Sequence, residues 1–62
     1  MPDPISDDQR RVIFAAVVAA QDDGLTVAAS RDLVASRYGV SPEQVKVIEA
    51  EGLDGGWPPL GG

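Results

Sequence analysis

Residues 35–41 read ASRYGVS and contain signals for the end of one helix and the start of another. A glycine that follows an aromatic residue is typical of a helix end, and the Ser-Pro-Glu after Val40 is typical of a helix start. Gly39 is suited to the left-handed conformation that closes many helices, because it has no side chain to clash there. Ser41 is a preferred N-cap, and Pro42 fits the first helical position, where no N–H is needed. The stretch therefore predicts two helices joined by a tight turn.

The residues around this turn match the spacing of a helix-turn-helix, in which the second of two steeply crossing helices can enter the major groove of DNA. Such a unit needs a small residue where the helices cross, a glycine at the turn and apolar residues on both inner faces. Counted from Arg31, residues of these types stand at the fourth, fifth, eighth, ninth, tenth, fifteenth and eighteenth places: Val34, Ala35, Tyr38, Gly39, Val40, Val45 and Ile48. A shift of one residue would break most of this agreement.

A first helix is predicted upstream of this unit. Ser6 offers an N-cap, and Gln9 three residues later completes a capping-box pattern. The helix is expected to run to about Asp23, because Gly24 can adopt the left-handed C-cap conformation and Leu25 can supply the hydrophobic contact of that motif.

The second and third helices follow from similar signals. Thr26 can cap the second helix, which carries apolar residues at helical spacing and stops at Gly39: Ala29, Leu33, Val34 and Tyr38. The third helix begins after Ser41 and is expected to end before Gly52, since Gly52 and Leu53 repeat the earlier Gly-Leu pair. No long stretch alternates apolar and polar residues, so no sheet is expected.

The predicted fold class is all-α: a three-helix bundle with a helix-turn-helix and an irregular C-terminal tail. Residues 1–5 are expected to form a flexible arm, residues 6–53 the helical domain, and residues 54–62 a tail rich in glycine and proline. The tail either packs on the helices or binds a partner through Trp57 and Leu60. In a small domain the packing alternative matters, because a buried aromatic side chain removes about 150–250 Å² from water.

Composition excludes several classes of function. A chain of 62 residues forms one domain at most and is too short for a deep active-site cleft. It has no cysteine for a thiolate metal site and no histidine for zinc or for acid–base catalysis near neutral pH. The sequence also shows no nucleophile with a base partner, so we expect no metal site, no cofactor, no small-molecule substrate and no enzymatic activity. The longest apolar run, residues 12–20, is shorter than the roughly 20 residues that span a bilayer. We therefore expect neither a membrane segment nor a signal peptide, and a cytoplasmic location.

The net charge is −5, which by itself argues against nucleic-acid binding. The acidic excess lies outside the predicted helix-turn-helix, however. Residues 31–50 hold three basic and three acidic residues, whereas the rest of the chain holds two basic and seven acidic residues. The charge balance is therefore neutral where DNA contact is predicted.

Residues 38–51, YGVSPEQVKVIEAE, resemble the promoter-reading helix-turn-helix at the C-terminal end of bacterial primary sigma factors. That family typically shows an aromatic residue, Gly, Val, Ser or Thr, a basic residue and Glu, then alternating basic and apolar positions that end in Ile-Glu-Ala. The resemblance implies that Glu43 and Lys46 face base edges or phosphates. Gln44 stands where the family usually has arginine.

Several positions depart from the family's pattern. Pro42 and Val47 replace polar or basic residues, Glu51 stands where lysine is common, and no basic segment follows the helix. The resemblance covers about a third of the chain. It therefore supports the fold more than the activity.

The exposed start of the third helix and its neighbouring cations form the candidate DNA-binding set: Arg31, Arg37, Ser41, Glu43, Gln44, Lys46 and Val47. Gln can pair with adenine, Glu can accept from cytosine, Lys can reach guanine or phosphate, and Val can contact a thymine methyl group. Affinity depends on cations that neutralise phosphates. The set contains three cations, Arg31, Arg37 and Lys46, to which Arg10 and Arg11 add at most two. A monomer is therefore expected to bind double-stranded DNA weakly.

Other interpretations of the same residues stay open. The charges on the third helix also fit a solvated face with ion pairs three or four residues apart, and Arg10 and Arg11 fit partners for the aspartates one turn before them. The run Val12–Val18 has more apolar residues than one narrow face needs, which predicts a homodimer seam, a contact with a larger host protein, or coverage by the tail.

Two functions follow from these alternatives. The first is a non-catalytic DNA-binding module in bacterial transcriptional regulation. The second is a protein-interaction domain on the same scaffold that uses its acidic surface and the Trp-Pro-Pro-Leu tail.

Overall fold

Three helices form the protein in the computed structural model, which describes residues 5–57. They are α1 (Asp7–Asp22), α2 (Val27–Tyr38) and α3 (Pro42–Gly55), and no strand occurs in that range. Each helix packs against the other two. This confirms the all-α three-helix bundle. The expectations for residues 1–4, and for Leu60 and its neighbours in residues 58–62, lie outside the described residues.

Each helix begins at a hydroxyl side chain that satisfies one of the free N–H groups of its first turn. The oxygens of Ser6, Thr26 and Ser41 accept from the backbone N–H three residues later, at 3.1–3.2 Å. In α1 the side chain of Ser6 supplies its half of the predicted capping box. The complete box is at α3, where Gln44 Oε1 also accepts from the Ser41 N–H at 2.9 Å.

Glycines in the left-handed conformation close α1 and α2, as predicted. Gly24 has φ 102°, and the N–H of Leu25 reaches back to the Ala20 carbonyl at 3.2 Å, which is the Schellman pattern. Gly39 has φ 70° and ψ 31°, and the Val40 N–H donates to the Ala35 carbonyl at 3.0 Å. The turn between α2 and α3 therefore has the predicted geometry.

The end of α3 differs from the prediction. The helix continues through Gly52 and ends at Gly56, which has φ 62°. Gly52 is buried against Phe14, and a β-carbon at this position would lie closer than 3.0 Å to three carbons of the Phe14 ring. Gly52 therefore permits close packing of α3 on α1 and does not terminate the helix. The irregular segment begins at Gly56, two residues later than expected.

The core lies where the three helices meet. It combines three residues of α1, Ile13, Phe14 and Val17, with four inner positions of the helix-turn-helix, Val34, Ala35, Val45 and Ile48. Tyr38 and Val40 are partly buried and pack against it. The inner face of α2 differs from the prediction, because Leu33 is 49% exposed and Ala29 is exposed. Ser30, which lies four residues before Val34, is fully buried instead. A serine fits there because its hydroxyl donates to the Val27 carbonyl at 2.7 Å.

Trp57 packs back on α1, as the core-covering alternative predicts. Its ring meets the Phe14 ring edge-on, with centroids 6.0 Å apart and an interplanar angle of 89°. The guanidinium carbon of Arg11 lies 5.2 Å from the Trp57 ring centroid, within the range of a cation–π contact. None of the helices in residues 5–57 is both long and apolar enough to cross a bilayer.

We expect Gly52→Ala to destabilise the protein by about 1–3 kcal/mol, because the added methyl group overlaps the Phe14 ring. At an exposed helical site the same change would stabilise by roughly 1 kcal/mol. Urea unfolding followed by circular dichroism measures the sign. In a Phe14→Leu background the penalty should shrink, and a stabilising Gly52→Ala in the original chain would show that the contact is absent.

Candidate nucleic-acid interface

The turn at Gly39 leaves the beginning of α3 free of the rest of the protein. Ser41–Gln44 are all exposed, as are Lys46 and Val47, the latter at 59%. Val45 between them is fully buried and anchors this part of the helix to the core. We refer to residues 41–44, 46 and 47 as the α3 surface. It contains five of the seven candidate DNA-binding residues.

A groove of about 290 Å³ separates the start of α2 from the start of α3. Arg31 lines it from α2, and Glu43 and Lys46 line it from α3. The structure therefore brings one further candidate residue, Arg31, next to the α3 surface. Asp32 lines the same groove and adds a negative charge to it.

Gln44 and Val47 line a second groove, of about 330 Å³, on the side of α3 that faces the start of α1. The Gln44 side chain is already part of the capping box, since its Oε1 accepts from the Ser41 N–H. That bond fixes the rotamer and uses one lone pair of the oxygen. Gln44 therefore presents its amide N–H groups and one remaining lone pair to a ligand.

Arg37 is separated from the other candidate cations. It lines a third groove, of about 170 Å³, between α1 and α2, together with Ala16, Ala19, Asp23 and Leu33 among others. Neither Arg31 nor Lys46 lines that groove. The structure therefore does not gather the three predicted cations on one surface.

A polar cluster of Gln21, Ser30, Arg31 and Glu49 holds the Arg31 side chain against the bundle. Arg31 Nε donates to Glu49 Oε1 at 2.5 Å, while Gln21 Nε2 donates to Glu49 Oε2 at 3.4 Å and to Ser30 Oγ at 3.1 Å. Only 14% of the Glu49 side chain and 29% of the Arg31 side chain are exposed. The cluster links all three helices and fixes α3 relative to the other two.

One of the two interpretations of the α3 charges, a solvated face, includes Glu49, but only 14% of its side chain is exposed. Gln21 and Ser30 are not among the predicted site residues. A signal for the cluster was present in the spacing. Glu49 lies four residues after Val45, and Ser30 lies four residues before Val34, so both fall on inner helix faces. Polar residues at such positions need partners inside the protein.

Three of the five cations have partners within the chain. Arg10 pairs with Asp7, as the alternative to a phosphate contact predicts, and its Nε lies 4.0 Å from a Glu51 oxygen. Arg11 faces the Trp57 ring and Arg31 pairs with Glu49. Within residues 5–57, Arg37 and Lys46 make no ion pair. The α3 surface therefore has one unpaired cation, Lys46.

Comparison of the chain with protein-family models, with curated proteins and with solved structures finds no match. The assignment of a function therefore rests on the residues of this chain.

Glu49→Gln is expected to lower the free energy of unfolding by about 1 kcal/mol, because it replaces charge-assisted hydrogen bonds by neutral ones. Asp32→Asn removes the same charge from an exposed site that has no ion pair in residues 5–57, so it should change stability by less than about 0.5 kcal/mol. Denaturant unfolding of both variants measures the difference. Equal effects would mean that the polar cluster contributes no specific stability.

Proposed function

We propose that this chain is a small DNA-binding helix-turn-helix module in bacterial transcriptional regulation, without catalytic activity, and that it works in the cytoplasm. The observation that carries the proposal is the exposure of the α3 surface beside a fully buried Val45. A recognition helix needs this combination, because its first turns must reach base edges while the rest of the helix is held by the core.

The residues of the α3 surface suit contacts in the major groove. Lys46 would reach guanine or phosphate, Glu43 would accept from the cytosine amino group, and Val47 would contact a thymine methyl group. The Ser41 hydroxyl and the Glu43 N–H would position the helix on a phosphate, since Pro42 has no N–H and the Gln44 N–H already donates to Ser41 Oγ. Arg31 borders this surface, and its Nη groups would add a phosphate contact beyond the bond that Nε makes to Glu49.

The charge distribution limits the affinity of one copy. With Lys46 and Arg31 as the contributing cations, about two phosphates are neutralised, and the logarithm of the binding constant should fall with log salt at a slope of about −1.8. Such a monomer binds weakly. Useful affinity therefore requires two copies or a larger assembly on one DNA site.

The test is a salt titration of fluorescence anisotropy, with labelled DNA of mixed sequence and with DNA selected from a random pool. Lys46→Ala should weaken binding and reduce the slope by about 0.9 without changing the unfolding midpoint, because Lys46 is exposed. Arg11→Gln is the matched control, since it removes one cation that lies against Trp57, outside both the α3 surface and the groove between α1 and α2. Gln44 is a poor choice for this test, because its substitution also breaks the capping box.

Absence of binding at low salt, even to selected DNA, would contradict the proposal and favour a second candidate, a protein-interaction domain on the same scaffold. One observation supports that candidate. The chain has ten acidic and only five basic residues, and three of the basic residues already contact a carboxylate or the Trp57 ring within the chain. A partner with a basic surface, such as a polymerase subunit, would complement this charge. If the chain binds a cationic protein at low salt, loses that binding at high salt and never binds DNA, the protein-interaction function is the correct one.

A further inference from the structure

A face formed by α1 and α2 combines exposed apolar residues with charges of both signs. Val12, Ala16 and Ala19 follow one another on α1 at intervals of three or four residues, so they lie along one side of the helix, and the C-cap residue Asp23 continues this row. Leu33 and Arg37 share a side of α2 for the same reason. We call these six residues the α1–α2 face.

The α1–α2 face has an exposed leucine at the border of a groove. Leu33 is 49% exposed beside the groove of about 170 Å³, and the α1 wall of that groove is lined by alanines. A projecting leucine next to a groove with small side chains fits a second, identical face rotated by 180°, where each leucine enters the groove of the other copy. Such a two-fold contact is the commonest way in which identical chains associate.

The charges on the α1–α2 face are also complementary to themselves. Arg37 and Asp23 line the same groove, and within residues 5–57 neither makes an ion pair. A two-fold axis through the face would place Arg37 of one copy near Asp23 of the other, and the reverse pair would form at the same time. Arg37 also offsets part of the repulsion between two chains that each carry a net charge of −5.

We propose that the α1–α2 face is a homodimer interface, in which Leu33 fills the alanine-lined groove of a second copy and Arg37 pairs with its Asp23. The α3 surface contributes no residue to this face, so both copies keep it exposed. The inference deepens the proposed function by naming the partner that supplies the missing phosphate contacts. Dimer formation itself is measured without DNA, so the two proposals fail independently.

The interface is small and should give a weak dimer. A face of six residues buries less than the roughly 800 Å² per partner of a standard stable interface. We therefore expect association in the micromolar range, visible by sedimentation equilibrium of the full chain between about 10 μM and 1 mM.

Leu33→Lys should keep the protein monomeric throughout this range, because it places a charge in the groove of the partner copy. Leu53→Lys is the matched control: Leu53 is even more exposed, at 65%, but lies on α3 outside the α1–α2 face. This variant should still dimerise. Circular dichroism verifies that both variants remain helical. A monomeric original chain at 1 mM, or equal loss of the dimer in both variants, would overturn the proposal.

A charge exchange tests the pairing directly. Arg37→Asp and Asp23→Arg should each weaken the dimer about tenfold, because each leaves two like-charge contacts across the two-fold axis. The double variant, which restores opposite charges, should recover most of the original association. If it dimerises no better than the single variants, Arg37 and Asp23 do not meet across the interface, and the proposed arrangement is wrong.

Discussion

The left-handed backbone at Gly39 sets the direction of α3 and with it the arrangement of the bundle. Because Ser41 caps the next helix only two residues later, the connection between α2 and α3 is too short to adopt a different direction. The direction of α3 is then set by the turn and held by Val45 and Ile48 in the core. A rigid, short connection of this kind separates the two ends of α3: the first turns face solvent, and the last turns pack beneath Phe14 and Trp57.

Most of the fold was predictable because its signals are local. Caps such as Ser6, Thr26 and Ser41 act within one helical turn, and so do the glycines that end α1 and α2. Gly52 shows where local reasoning fails. Its sequence context is the same Gly-Leu pair that ends α1, yet it lies inside α3. There the Phe14 ring, 38 residues earlier, occupies the space that a side chain would need. A contact between distant residues leaves no mark in the neighbouring sequence.

The candidate site was less predictable than the fold, because exposure and charge pairing depend on tertiary structure. The exposed start of α3 followed from the helical period, which correctly placed Val45 and Ile48 inward. The helical period did not predict which cations form ion pairs within the chain. Arg31 has the same local setting as a free surface arginine, but α3 brings Glu49 to it across the bundle, while Arg37 emerges beside α1. Stability and ligand binding therefore compete for the same positive charge at Arg31.

The packing of Trp57 on α1 makes this residue a fluorescence probe of the bundle. The chain has a single tryptophan, and that residue is the first after the last helical turn and its glycine cap. Its indole is half-buried between Phe14 and the Arg11 guanidinium. The intrinsic fluorescence of Trp57 therefore reports whether this residue is packed on α1. The measurement needs no label, and no second tryptophan contributes to the signal.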